Sequence, residues 1–157
     1  MPHPFSAFDI ATMLGMQPRD IRLWDLLEFL PSSATPMRSF RPDGPYSASD
    51  VLRCAVLHEM TVFGIAPDAM RRALVVLASS PFAPMLFDPD RRLAQGALWA
   101  LFADGALVMT DLTLDGVPAF HSLQAHDLIA NATRVQALNL TRLKQSVLRR
   151  IREFSKP

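Results

Sequence analysis

A single cysteine, Cys54, stands among 157 residues, so no disulfide can close within the chain. An excess of one charge is also missing: sixteen Lys and Arg face fifteen Asp and Glu, for a formal net charge of +1. That balance excludes a polyelectrolyte that holds nucleic acid by bulk charge, and leaves only local placement to do so. No basic-then-apolar leader opens the sequence, and no uncharged apolar run approaches the ~18–20 residues of a bilayer span. Even the apolar stretch over residues 97–109 is cut by Asp104-Gly105. A cytoplasmic setting, with no membrane partner, is therefore expected. There is no glycine-rich phosphate loop, no nucleophile elbow and no His-Glu-x-x-His, so neither an enzyme nor a cofactor is expected.

Metal chemistry has equally little to work with. Cys54 and His58 are four apart and share a helix face, but two ligands are too few for a site. Cys54 falls in the stripe Val51, Cys54, Leu57, Met60 and reads as a small core residue with His58 at its flank. His121 and His126, with Asp127 beside them, are spaced by five and point to different faces of either a helix or a strand. No metal ligand is assigned.

What the chain does have is apolar content: 50% of its residues are hydrophobic and 20% charged, enough for one globular domain or two small ones. Charge is polarised along it. Residues 1–80 hold seven basic and eight acidic side chains, residues 81–129 two and six, and residues 130–157 seven and one. Pro81, Pro84 and Pro89 cannot lie inside a helix or a central strand, which makes their segment the candidate boundary. The division expected is a DNA-binding domain over 1–80, a Pro-rich linker over 81–95, and a small α+β domain over 96–157 for dimerisation or effector binding.

Within the first of these, Ile10, Ala11 and Leu14 recur at helical spacing and Gly15 suits a left-handed stop. Pro18 then fits a first helical turn, Asp20 complements the positive end of the helix dipole, and Ile21 and Trp24 form a buried stripe. The pattern predicts a second helix over about 18–28. Two short helices on a tight glycine turn make a helix-turn-helix, whose second helix offers its N-terminal side chains to the major groove. Arg19 and Arg22 lie on the face opposite the stripe, and arginine pairs with guanine or phosphate.

These residues resemble the MerR-like winged-helix transcription regulators. The resemblance is carried by Phe5, Ile10, Ala11, Gly15, Met16, Arg19, Ile21, Arg22, Trp24 and Asp25, then by Tyr46-Ser-x-x-Asp50-Val51, Leu57, Met60, Phe63-Gly64-Ile65 and Met70 to Leu74. It spans about residues 5–77. It implies a winged helix-turn-helix that binds double-stranded DNA through Gln17, Arg19, Arg22, Leu23 and Tyr46. Glu28 stands where the family has glycine after its recognition helix. Gly44 replaces the wing arginine within a longer wing segment, for which Arg38 and Arg41 are the substitutes. The three prolines also forbid the family's long dimerising helix directly after Leu77.

In the second part, apolar runs flank Asp104-Gly105, a pair suited to a type I′ turn, so a hairpin is predicted over 97–103 and 106–111. Trp99 and Phe102 fall on its opposite faces, both expected to fill core. Further strands are predicted over 117–123 and 135–140, and a closing helix over 141–154 that exposes Arg142, Lys144, Arg149, Arg150 and Arg152. Its stripe of Leu140, Leu143, Val147, Ile151 and Phe154 either covers the sheet or pairs with a second copy, the expected homodimer contact. The fold expected is thus mainly α and α+β overall. The function expected is a sequence-specific DNA-binding transcription regulator; no effector is named by these residues. Two other readings stay open: a protein- or ligand-interaction module whose helix-turn-helix no longer reads DNA, and an architectural recombination or excision factor.

Overall fold

The computed structural model describes residues 5–30, 46–92, 97–108, 112–113, 127 and 129–156. Among them the protein is a mixed α+β structure. Five helices come first: α1 (Ala7–Leu14), α2 (Pro18–Leu26), α3 (Ala48–Val62), α4 (Pro67–Ser79) and α5 (Ala83–Phe87). Strands β1 (Ala97–Ala103), β2 (Ala106–Val108), β3 (Leu112–Thr113) and β4 (Val135–Asn139) follow, and α6 (Leu140–Phe154) closes the order. The expected wing over 31–45, the strand over 117–123, and His121 and His126 lie outside the described residues.

Local chemistry accounts for the helix starts. Ser6 and Asp9 form a capping box on α1, with Asp9 N–H donating to the Ser6 hydroxyl at 3.1 Å and Ser6 N–H to the Asp9 carboxylate at 2.8 Å. Ser47 and Asp50 repeat the device on α3, at 3.2 and 2.8 Å. Pro18 and Pro67 open α2 and α4, where a missing N–H costs nothing. Asn139 caps α6 by accepting from Arg142 N–H at 2.9 Å.

The sheet is antiparallel and centred on β1, which pairs with β2, β3 and β4. The hairpin between β1 and β2 turns at Asp104 (φ 48°) and Gly105 (φ 81°), both left-handed, as a type I′ turn requires. Asp104 then does a second task. Its carboxylate accepts from the N–H groups of Thr133 and Arg134 at 3.1 and 2.9 Å, and its own N–H donates to Arg134 C=O at 2.9 Å. The hairpin turn therefore sets the register of β4, where Trp99 faces Asn139 and Ala103 faces Val135.

Packing does not respect the boundary expected at the prolines. One hydrophobic cluster runs from Phe5 and Ile10 through Val51, Leu57 and Met60 to Leu98, Phe102, Leu140 and Val147. The proline segment is part of it, because Pro84 occupies the first turn of α5 and Leu86 and Phe87 are buried. The Arg53 guanidinium lies 4.1 Å from the Phe87 ring centroid and holds α5 to α3. Burial keeps Arg53 below the usual arginine range, partly countered by Asp50. Phe102 is fully buried with its ring 5.8 Å from that of Phe63, whereas Trp99 on the other face is half-buried.

Two expectations concern α6. Of the stripe that either covers the sheet or pairs with a second copy, Leu140, Val147 and Ile151 are buried within the chain against α1, α3 and β1, whereas Leu143 is half-buried and Phe154 is 43% exposed. Lys144, expected on the solvent side, is 3% exposed. Its ammonium donates to three main-chain carbonyls, those of Met85, Asp88 and Arg91, the last two each at 2.6 Å. All three N–H donors of the side chain are used, and together they bind the segment after α5 to α6. Burial lowers the Lys144 pKa below its ordinary value, against the pull of Asp88 and then Asp90. Replacing Lys144 by Met keeps the stem and removes the ammonium donor from all three carbonyls, leaving that of Asp88 only the long 3.3 Å bond from Arg91 N–H. We expect Lys144→Met to cost roughly 2–4 kcal/mol, read as a lower urea midpoint at unchanged m-value.

Candidate nucleic-acid interface

The turn between α1 and α2 is short and fully accounted for. Gly15 takes the left-handed conformation (φ 71°) and its N–H donates to Ala11 C=O; Met16 N–H reaches the same carbonyl at 3.0 Å. Gln17 caps α2 through extended backbone and lies exposed, with no side-chain cap bond. From there Ile21 and Trp24 enter the core, and the three-residue spacing turns Arg19, Arg22 and Leu23 outward, where all three are exposed.

The far end of α2 is held by Glu28 and by two residues that the sequence does not single out, Phe29 and Arg71. Glu28 occupies the left-handed position after the helix (φ 59°), where the resemblance led one to expect glycine. Phe29 N–H then closes back onto Trp24 C=O at 2.9 Å, a Schellman-type stop built without glycine. Arg71 of α4 donates to Leu27 C=O at 2.9 Å and lies 5.0 Å from the Phe29 ring centroid. This one arginine satisfies a terminal carbonyl of α2 and stacks on the residue that follows it. A basic pair on α4, Arg71-Arg72, was the only hint in the sequence, and such a pair reads first as solvated surface.

Tyr46 is corrected. It is 0% exposed, so it cannot be a surface contact. Its backbone forms a bridge with Phe5, the two N–H···O bonds measuring 2.7 and 2.9 Å, and its hydroxyl donates to the Asp25 carboxylate at 3.2 Å. A buried phenol needs a partner, and Asp25 on the inner side of α2 supplies it. Tyr46 therefore positions α2 from behind. Arg38 and Arg41 lie outside the described residues.

The exposed face of α2 is mixed in chemistry. Arg19 and Arg22 are balanced within the helix by Asp20 and Asp25, and Leu23 and Leu26 are 51% and 77% exposed. Cys54 is buried in α3, and among the described residues no group of three or more His, Cys, Asp or Glu is placed to hold a metal. Nor is any described helix long and apolar enough to cross a membrane. No protein-family model matches the chain, and no curated protein does.

The two left-handed positions make opposite predictions. A Cβ at Gly15 meets nothing within 4 Å, so Gly15→Ala pays only for its backbone, about 1 kcal/mol. Glu28→Gly relieves that same conformation and should raise stability by roughly 0.5–1 kcal/mol. Paired thermal melts at neutral pH read both signs. Tyr46→Phe should lower stability by about 1 kcal/mol.

Proposed function

We propose that the chain is a sequence-specific DNA-binding transcription regulator of MerR-like type, with α2 as the recognition helix in the major groove. The observation that carries this reading is the outward face of α2: Arg19, Arg22 and Leu23 are presented to solvent while Ile21 and Trp24 anchor the helix. The support is the way that face is held. A glycine turn fixes its start, Tyr46 and Asp25 fix its back, and Arg71 fixes its end. Side chains that read bases need a rigid scaffold, and every contact here serves that need. The helix-turn-helix is then α1 and α2.

In this reading Arg19 and Arg22 make base or phosphate contacts and Gln17 and Leu23 border them. A homodimer accompanies it, since one recognition helix covers too few base pairs for selective binding. With Leu140, Val147 and Ile151 buried within the chain, only Leu143 and Phe154 of the α6 stripe stay within reach of a second copy. A second reading is favoured by one observation: Phe8, Leu23 and Leu26 leave apolar surface exposed on α1 and α2, which suits a protein partner better than phosphate.

Selection from a random duplex pool separates the two. A DNA reader enriches a defined site, and Arg19→Ala or Arg22→Ala then weakens binding to that site by about 1–3 kcal/mol each, roughly 5- to 150-fold in a gel-shift titration. Absence of any enriched site, or equal binding by both variants, would refute the assignment and leave the protein-partner reading.

A further inference from the structure

Away from the helix-turn-helix unit, α6 and residues 89–92 border a cleft of about 750 Å³, within the roughly 300–1,000 Å³ typical of small-molecule sites. Its floor is apolar, made by Leu148 and Ile151 of α6. Its rims are cationic. Arg91 and Arg92 stand on one side and Arg152 on the other, and Lys144 lies buried between them.

The charges at this cleft do not cancel. Four cationic side chains line it against one carboxylate, Asp90. Asp88, just outside, takes up part of Arg91, whose Nε lies 3.3 Å from its carboxylate. Lys144 spends its donors on main-chain carbonyls, and its charge is offset in part by Asp88 and Asp90 without a direct bond to either carboxylate. Arg152 lines the cleft, is exposed, and donates through its Nε to Leu148 C=O at 3.2 Å. Arg92 is exposed.

We propose that this cleft binds a small amphiphilic anion, with a carboxylate, sulfonate or phosphate-monoester head at Arg92 and Arg152 and an apolar body on Leu148 and Ile151. Planar guanidinium groups are suited to such heads, because they offer paired N–H donors that an oxyanion accepts. The floor supplies the rest of the selectivity, since a bare inorganic anion gains nothing from Leu148 and Ile151. A concave site with an apolar floor also favours a small ligand over duplex DNA, whose phosphates lie on a convex rod. The inference is independent of whether α2 reads DNA.

The probe for a test is 1-anilinonaphthalene-8-sulfonate, an anionic head on an apolar body whose fluorescence rises on binding. Titration of the full chain should give saturable binding, displaced by decanoate and not by decanol at equal concentration. Arg92→Gln with Arg152→Gln should weaken it at least tenfold. Gln145→Glu, which sets a carboxylate on an exposed lining position without touching the core, should weaken it at least fivefold. Unchanged affinity in both variants, or displacement by decanol as effective as by decanoate, would overturn the proposal. So would displacement by a random-sequence duplex as effective as by decanoate, which would mark a polyanion surface instead.

Discussion

Leu140, Val147 and Ile151 lie one above another on α6 and meet α1, α3 and β1 at once. Removing that contact would open the inner sides of all three elements to water, each buried side chain being worth roughly 1.5–3 kcal/mol. Polar groups reinforce the same seam. Thr141 accepts from Leu98 N–H at 2.8 Å, tying the first turn of α6 to the start of β1, and Arg150 donates to Met13 C=O at 3.0 Å, tying its last turns to α1. Phe154 adds a tilted ring contact with Phe5, the centroids 6.5 Å apart. The orientation of α1, and through the Gly15 turn that of α2, thus depends on a helix at the other end of the sequence.

Much of the local structure was legible because short-range chemistry decides it. Gly15 and Pro18 bracket the turn between α1 and α2, Asp104-Gly105 turns the hairpin, and the period of Ile21 and Trp24 already sends Arg19 and Arg22 outward. What failed were places where residue type was allowed to overrule position. Lys144 sits four after Leu140 and three before Val147, squarely in the buried stripe, yet a lysine was read as solvent-facing. Its burial depends on the carbonyls of Met85, Asp88 and Arg91, more than fifty residues away, which no local pattern reveals.

The proline segment and Tyr46 illustrate the same limit. Three prolines were read as a boundary, but a proline in a first helical turn is compatible with a short helix, and α5 uses Pro84 in that way to bury Leu86 and Phe87. Tyr46 was carried over as a surface contact by resemblance. Its burial follows from a bridge to Phe5 and an acceptor on α2, both distant in sequence. For the candidate interface, then, the exposed half could be read from periodicity, and the supporting half could not.

The bond from Arg150 to Met13 spans 137 positions. During synthesis α1 and α2 leave the ribosome long before α6, and until it arrives the inner side of α1 has only α2 and α3 to cover it. At roughly 5–20 residues per second that wait lasts on the order of ten seconds. The nascent chain therefore passes through a stage in which α1 and α2 can form while the contact of α1 with α6 is still missing. A messenger cut short before α6 would yield a product that carries Gln17, Arg19, Arg22 and Leu23 and lacks the helix that packs on α1.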